Sequence, residues 1–335
     1  MNKLLTVVVP VYKVEKYIRK CLDSLVLPIE LRHKVEILVV NDGTPDLSAH
    51  IAKEYESEYP DMFRVIDKEN GGHGSAWNRG VAEAQGKYIS FLDSDDWLTN
   101  FKEFVLKLEK TDTDLVFTNL VCVHQDSEKR DIFINRVMKP DVAYQVDEYD
   151  WKQSDQFYSG YNVTNFHVCT YKTDILKKHH PIFLEKAFYD DEILFVLPLC
   201  EARTFCFFDI ILYNYLLGRP GQTMDKKVMI RNVDFKINVR KQCVDFVNKH
   251  RPQSKSVNDK LNRILESRCN DTLYLLTNLS RKSFKQKIKQ FMQYISNNLI
   301  DYKPHNIFKC CKRFGTDITW ILYNYVAPIY MKIRK

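Results

Sequence analysis

Three aspartates stand within four positions of the sequence, in the segment DSDD at residues 93–96. In an extended chain, residues two positions apart point to the same side, which would place Asp93 and Asp95 together. Carboxylates this close repel one another unless a cation lies between them, and oxygen ligands suit Mg²⁺ or Mn²⁺. The structural alternative is that Asp95 or Asp96 caps a helix beginning near Trp97. We call Asp93, Asp95 and Asp96 the aspartate cluster.

A second concentration of unusual residues is the glycine-rich segment NGGHGSAWNRG at residues 70–80. The chain has ten glycines, and five of them lie within sixteen residues, at Gly71, Gly72, Gly74, Gly80 and Gly86. Glycines just before a helix let the backbone come close to a ligand. The segment therefore predicts a ligand-contacting loop in which His73 makes a polar contact, with a catalytic role for His73 as the alternative. A tight turn between a strand and a helix is the simpler alternative.

The elements that must position these residues alternate between strands and helices over the first 100 positions. Apolar runs predict strands at residues 4–11, 35–40, 63–67 and 87–92. Apolar residues at helical spacing follow each of the first three strands. This order is typical of an α/β protein with a parallel sheet, in which ligands bind beyond the carboxyl ends of the strands.

Two further strand ends carry candidate binding residues. The first strand ends in Pro10, Val11 and Tyr12, and the second in NDGT at residues 41–44. Asp42 would lie where the base or ribose of a nucleoside could bind, with Tyr12 over its face; an ordinary Asp-Gly turn is the alternative. A dinucleotide-binding fold is excluded because the turn after the first strand contains no glycine. A P-loop is excluded because the sequence contains no GxxxxGK(S/T) segment.

Five segments together resemble the family 2 glycosyltransferases, which have the GT-A fold. In chain order they are PVYKVEKYIRKCLDSL, EILVVNDGT, NGGHGSAWNRG, GKYISFLDSDDWL and FYDDEILFVLPL. The resemblance implies a catalytic domain over residues 1–225, with a Rossmann-like, mostly parallel sheet flanked by helices. Its donor half would end at about residue 97 and its acceptor half would occupy about 98–225. Residues 226–335 are expected to form a basic helical domain.

The resemblance also implies roles for individual residues in binding a nucleotide sugar. Pro10, Val11 and Tyr12 would form the nucleoside pocket, with the Asp42 carboxylate meeting the base. Four further residues would line the donor cleft: Asn70, Gly71, Asn78 and Arg79.

The same resemblance assigns the charged groups of the reaction. Asp93 would lie beside the ribose and donor sugar, and Asp95 would coordinate the metal that bridges the diphosphate. Asp191 matches the catalytic base, with Asp190 as the neighbouring candidate because this chain has aspartate where glutamate is usual. Arg219, in a segment that closes near the diphosphate in relatives, would contact phosphate.

The implied reaction is an inverting displacement that uses Mn²⁺ or Mg²⁺. A carboxylate would take the proton of the acceptor hydroxyl, and the metal would stabilise the departing nucleoside diphosphate. The expected donor is a UDP-sugar, and the acceptor a glycan or lipid-linked saccharide in bacterial capsule, exopolysaccharide or O-antigen synthesis. The alternatives are a non-catalytic sugar-nucleotide-binding or scaffold subunit of a membrane-associated complex, and a metal-dependent nucleotidyltransferase or hydrolase.

Charge is distributed unevenly along the chain. Residues 1–225 carry a net charge of −10 and residues 226–335 one of +17. Basic residues interleaved with aromatic ones in the second part predict contact with an anionic membrane surface. The alternatives are a basic face packed on the catalytic domain, or a contact within a homo-oligomer. Nucleic acid is not an expected partner, because no nucleic-acid-binding motif accompanies the charge.

Composition narrows the class of protein. The 335 residues are 45% apolar, which excludes a disordered chain. Nothing in the first residues predicts a signal peptide, and the apolar stretches are shorter than the roughly 20 residues of a spanning helix. The nine cysteines form no CxxC pair and are expected to be reduced. The expected location is cytoplasmic, at the inner face of the cell membrane.

Overall fold

The computed structural model describes residues 3–127, 129–156, 165–219, 225–299 and 306–326. The chain divides into two compact units. One unit comprises Met1–Pro220 with Pro252–Val257, and the other comprises Gly221–Arg251 with Asn258–Lys335.

The first unit is built on a single sheet, with ten strands among the described residues. In chain order the strands are β1 (Leu5–Val11), β2 (Val35–Asp42), β3 (Phe63–Lys68), β4 (Tyr88–Phe91), β5 (Trp97–Leu98), β6 (Leu115–His124), β7 (Arg130–Phe133), β8 (Ala143–Gln145), β9 (Cys169–Lys172) and β10 (Thr204–Leu217). They lie in the order β3-β2-β1-β4-β9-β6-β10-β5, with β7 beside β6 and β8 beside β10.

The longest pairings of this sheet are parallel. Strand β1 runs parallel to β2 and β4, β2 to β3, and β6 to β10. The short strand β9 runs antiparallel to both β4 and β6, and so joins the two parallel parts. Every residue of β1 and β2 is buried, which explains their almost unbroken apolar runs. The predicted mostly parallel sheet is confirmed.

Helices flank the sheet, and a helix follows each of the first three strands, as the apolar spacing predicts. They are α1 (Ile18–Asp23), α2 (Ile29–Arg32), α3 (Ser48–Glu58), α4 (His73–Glu83), α5 (Phe101–Leu108), α6 (Thr173–Lys177) and α7 (Leu197–Glu201). A 3₁₀ helix at Asp190–Phe195 precedes α7. The idea that Asp95 or Asp96 caps a helix near Trp97 is wrong, because Trp97 lies in β5 and α5 begins only after Asn100.

Helix α4 is the element that brings the glycine-rich segment to the sheet. A Cβ atom on Gly80 would lie 2.3 Å from a methyl carbon of Val8 in β1, so only glycine allows this close approach. One turn earlier, the fully buried Trp77 stacks on Phe91 of β4, with ring centroids 4.3 Å apart, and packs edge-on against Phe183. These contacts fix the start of α4 beside the end of β4.

The second unit consists of helices over its described residues, as predicted. The helices of the C-terminal region are α8 (Lys226–Arg231), α9 (Val233–Lys249), α10 (Lys255–Leu276), α11 (Arg281–Asn298) and α12 (Asn306–Ile321), and a π-helical turn at Leu322–Val326 follows. Helix α11 buries Phe284, Ile288, Phe291 and Ile295, which recur at helical spacing and form its core face. Helix α12 is kinked at Gly315, whose φ is +79°.

Candidate active site

The aspartate cluster lies where the chain leaves the carboxyl end of β4, and the end of β10 contacts it. The Tyr213 hydroxyl donates a hydrogen bond to Asp96 Oδ2, and the Leu216 N–H donates one to Oδ1, both at 2.7 Å. Arg219, just after β10, forms an ion pair of 2.7 Å with the Asp95 carboxylate. Residues more than 110 positions later in the chain therefore determine how the cluster is arranged.

Burial and mutual repulsion shift the pKa values within the cluster. Burial, and then the charge of Asp93, raise the pKa of Asp95 to about 6. Burial and the two neighbouring carboxylates raise the pKa of Asp96 well above its ordinary value. Burial opposes ionisation of Asp93 too, but the hydrogen bond and charge of His73 lower its pKa. The upward shifts mean that the ionised carboxylates would be stabilised by further positive charge.

His167 lies beside the cluster and was not among the predicted site residues. One of its ring nitrogens and carboxylate oxygens of Asp93 and Asp96 lie within 4.8 Å of one another, a spacing that could hold a metal ion. Burial lowers the pKa of His167 to about 4, which leaves the ring neutral. No local motif marks this histidine, because only the sheet brings it to the end of β4.

Asp42 holds the glycine-rich loop in place. Its Oδ1 accepts hydrogen bonds from the Gly71 N–H (2.9 Å) and the Lys68 ammonium (2.6 Å), and its Oδ2 accepts one from the Gly72 N–H (2.8 Å). The Asn70 amide donates to the Asp42 carbonyl at 2.8 Å. The carboxylate predicted to meet a nucleoside base is thus already bonded to the loop, and its contact with a base stays a prediction.

The residues predicted for the nucleoside pocket share one edge of the sheet with Asp42. Pro10 and Val11 are buried at the end of β1, where Val11 lies opposite Asn41 in the parallel ladder. Tyr12 follows the strand and is 43% exposed, so its ring is accessible to a ligand. This placement is compatible with the predicted pocket.

Asn78 and Arg79 are adjacent in α4 but have different surroundings. Asn78 is buried, and its side chain bonds the backbone of the 182–183 segment through both its amide and its carbonyl, at 2.8–3.0 Å. Arg79 lies on the exposed face of α4 and forms an ion pair of 2.8 Å with Glu83. Asn78 therefore positions the segment that leads to Asp190, whereas the structure gives Arg79 a partner within its own helix.

His73 joins the two acidic parts of the site. Its Nδ1 lies 3.1 Å from Asp190 Oδ2, and its Nε2 lies 3.3 Å from Asp93 Oδ1. Burial would lower the pKa of His73, but the charges and hydrogen bonds of Asp190 and Asp93 raise it well above the ordinary value. The sequence predicts a polar contact for this residue, with a catalytic role as the alternative, but not its partners, because a partner 117 positions away leaves no local signal.

The acidic pair at the start of the 3₁₀ helix is divided between two environments. Asp190 is 2% exposed and contacts His73, while Asp191 is half-buried. A Cβ atom on Gly74 would lie 2.8 Å from Asp190 Oδ2 and 2.3 Å from the Leu184 carbonyl oxygen, so glycine is required for α4 to approach this segment. The two candidates for the catalytic base therefore differ in how exposed their carboxylates are to solvent.

Arg219 lies beside the aspartate cluster, with its guanidinium paired with Asp95 and 5.4 Å from the Tyr17 ring centroid. Its contact with phosphate stays a prediction. Positions 220–223, which follow Arg219 in the segment expected to close near the diphosphate, lie outside the described residues.

Comparison with known proteins identifies the class of enzyme. The family described as glycosyl transferase family 2 matches residues 6–179, which is more than half of the chain. The chain therefore belongs to this family of transferases, as the sequence motifs indicate.

Among individual relatives, the chain is similar to EpsH of Bacillus subtilis (strain 168), with 40% identity over 125 residues. That match covers 37% of this chain and 36% of EpsH. The chain spans less than half the length of two other curated relatives as well.

Solved structures share the fold across nearly the whole chain. S. aureus TarS 1-349 in complex with UDP has a TM-score of 0.69 at 16% identity, covering 97% of this chain and 91% of that one. The mannosyltransferase PcManGT from Pyrobaculum calidifontis, in complex with GDP-Man and Mn²⁺, has a TM-score of 0.50 at 13% identity, covering 99% and 88%. The predicted GT-A fold is confirmed. Among the helices in the described residues, none combines the length and apolar character needed to cross a bilayer.

Proposed function

We propose that this chain is an inverting, metal-dependent glycosyltransferase that moves a sugar from a UDP-sugar to a saccharide or lipid-linked saccharide in bacterial surface polysaccharide synthesis. The observation that carries the proposal is the meeting of the aspartate cluster and Asp190 through His73 at the carboxyl edge of the sheet. Family membership and the likeness to a UDP-bound structure support it. The catalytic part would be residues 1–225, with the donor half at about 1–97.

The aspartate cluster has the chemistry of a site for Mn²⁺ or Mg²⁺. Its three carboxylates supply the hard oxygen ligands that these ions prefer. The raised pKa of Asp95 indicates that a nearby cation would stabilise its ionised form. Asp95 would hold the ion. When bound, the ion would stabilise the negative charge of the departing diphosphate.

The chain's own residues would bind and orient the donor. Pro10, Val11 and Tyr12 would contact the nucleoside, and the loop held by Asp42 would present its backbone to the donor. Asp93 would lie by the ribose and the sugar. Arg219, already beside Asp95, is close enough to the cluster to contact phosphate once the donor enters.

Asp191 is the base in this proposal. Its partial exposure would allow an acceptor hydroxyl to reach it, whereas Asp190 is buried against His73. The hydroxyl oxygen would attack the anomeric carbon from the face opposite the leaving group, and its proton would pass to the Asp191 carboxylate. The bond from the anomeric carbon to the diphosphate would break at the same time, with its electron pair leaving on the diphosphate.

A donor screen tests this function. The full chain is incubated with UDP-, GDP- and dTDP-sugars and MnCl₂ or MgCl₂, and the release of nucleoside diphosphate and the melting temperature are measured. We expect one UDP-sugar to be hydrolysed with metal but not with EDTA. Binding without turnover would favour a scaffold subunit, and cleavage of the donor to a nucleoside monophosphate derivative and sugar 1-phosphate would favour a nucleotidyltransferase or hydrolase; either result would overturn the proposal.

The second part of this proposal is that the basic C-terminal region contacts an anionic membrane surface. The +17 charge supports it, as do the exposed apolar side chains Phe314, Ile318 and Ile321 of α12. Some basic side chains are already engaged, since Arg281 and Lys285 both pair with Asp317. The contact would therefore depend on the exposed basic residues outside these pairs.

Vesicle flotation tests the membrane contact. Alanine at Lys282, Lys289, Lys309 and Arg313, all exposed, should abolish flotation with vesicles that contain phosphatidylglycerol. Alanine at the exposed Lys102, Lys110, Lys139 and Lys152 of the first unit is the matched control and should leave it unchanged. Equal loss in both variants, or equal flotation with phosphatidylcholine alone, would contradict a specific surface.

A further inference from the structure

We propose that His73 is a positioning residue for sugar transfer, which holds the buried Asp190 and the donor-side Asp93 at a fixed separation so that Asp191 faces the donor. This inference rests on the proposed function and adds a residue to its machinery. It concerns an arrangement of side chains, not a proton transfer to or from the ring.

The geometry of the ring is the first support. The two nitrogens of His73 face carboxylate oxygens on opposite sides, Asp190 Oδ2 at 3.1 Å and Asp93 Oδ1 at 3.3 Å. These carboxylates follow different elements of the first unit: Asp93 comes after β4, and Asp190 starts the 3₁₀ helix. One side chain thus connects the donor side of the site to the segment that carries the candidate base.

The surroundings of the ring make this connection rigid. His73 is the first residue of α4, and its ring lies 4.3 Å from that of the buried Trp77, measured between centroids. Gly72, just before it, has a φ of +86°, which glycine adopts without strain. Gly74, just after it, admits the Leu184 carbonyl and Asp190 at distances that a side chain would forbid. The residues before and after His73 therefore restrict the orientation of its ring.

The burial of Asp190 explains why the contact matters. A carboxylate that is 2% exposed is costly to leave without a partner, so removal of His73 would favour movement of Asp190 toward solvent. Asp191 is the next residue and would move with it. A displacement of about 1 Å of a reacting group can lower a rate by roughly 100-fold.

Two substitutions separate the two contacts. The amide nitrogen of asparagine lies near the position of Nδ1, and that of glutamine near the position of Nε2. His73→Asn should therefore keep the contact with Asp190, and His73→Gln the contact with Asp93. The readouts are kcat and KM for the nucleotide sugar that the wild type hydrolyses in the donor screen, the affinity for UDP with MnCl₂, and the melting temperature.

We expect His73→Ala to lower kcat by about 100-fold. His73→Asn should restore kcat to within about tenfold of the wild type, whereas His73→Gln should bind UDP like the wild type but remain slow. A purely structural role would lower the melting temperature of both variants and would not separate kcat from UDP affinity. Equal kcat in the Asn and Gln variants, whether both active or both inactive, would overturn the proposal.

A spectroscopic readout distinguishes failure of this inference from failure of the proposed function. In ¹⁵N-labelled protein, the ring signals of His73 are assigned by their loss in His73→Asn. Asp190→Asn should shift the Nδ1 signal, and Asp93→Asn the Nε2 signal. If no donor is hydrolysed and these shifts occur, the proposed glycosyl transfer fails while the bridge stands; if neither signal shifts, the bridge itself is refuted.

Discussion

The two acidic parts of the candidate site have their negative charge compensated in different ways. In the aspartate cluster, three carboxylates lie within four residues, and burial and mutual repulsion raise the pKa of Asp95 and Asp96. At Asp190 and Asp191, the buried member contacts His73 and the other is half-buried. Although Arg219 pairs with Asp95 and His73 with Asp93, the pKa values of Asp95 and Asp96 stay raised, so the cluster is suited to an added cation. In the acidic pair, the buried Asp190 has His73 as its partner. Metal removal and substitution should affect them differently.

The largest expected effect is at the cluster itself. Asp95→Asn removes the charge proposed to hold the metal, and donor turnover should fall by on the order of 1000-fold. The stimulation of turnover by MnCl₂ should be lost with it. Steady-state release of nucleoside diphosphate measures both, and Asp61→Asn, at an exposed aspartate, is the control. If Asp95→Asn retains turnover in the presence of EDTA, the reaction does not depend on a metal ion held by Asp95.

The acidic pair should respond with a smaller loss and without a change in metal dependence. Asp191→Asn should lower turnover by about 100-fold or more, because the acceptor proton loses its base. The affinity for UDP with MnCl₂, measured by calorimetry, should stay at the wild-type value. Asp190→Asn is the comparison variant. If it alone loses turnover while its melting temperature is unchanged, the base is Asp190.

Arg219 is expected to affect both donor binding and metal binding, because it is the cation paired with Asp95. Arg219→Ala should raise the KM for the donor by about tenfold, the equivalent of one charged hydrogen bond. It should also tighten Mn²⁺ binding in the absence of donor, since the competing cation is gone. Donor titration and Mn²⁺ titration check the two effects, with Arg203→Ala at an exposed position as the control. Weaker Mn²⁺ binding in Arg219→Ala would contradict the idea that Arg219 and Mn²⁺ compete for Asp95.

Where α4 approaches the acidic pair, the expected effect is on stability rather than on turnover or donor binding. Gly74→Ala places a Cβ atom 2.3 Å from the Leu184 carbonyl, and the free energy of unfolding should fall by about 2 kcal/mol. Denaturant unfolding measures it. Gly315→Ala, which meets no atom within 4 Å but has a φ of +79°, should cost about 1 kcal/mol and leave turnover unchanged. Equal stability losses with unchanged turnover in both would show that this approach does not matter for activity.

The strands and the aspartate cluster were predictable because their signals are local. The runs at residues 4–11 and 35–40 are apolar because they form β1 and β2, which are buried on both faces. The adjacent pair Asn78 and Arg79 shows the opposite case. Both belong to one motif, yet one side chain is buried against the 182–183 segment and the other pairs with Glu83. A sequence motif does not specify which of its residues will pack against a distant segment of the chain and which will stay exposed.

The sequence by itself determined the family, the order of strands and helices, and the location of the acidic segments, because composition and spacing follow from burial along each element. The tertiary structure alone decided the contacts that make these segments one site. His73 reaches Asp190, Arg219 reaches Asp95 and Tyr213 reaches Asp96 only because β10 and α4 pack where they do. Such contacts depend on side chains more than 110 positions apart, and no local pattern records their distance.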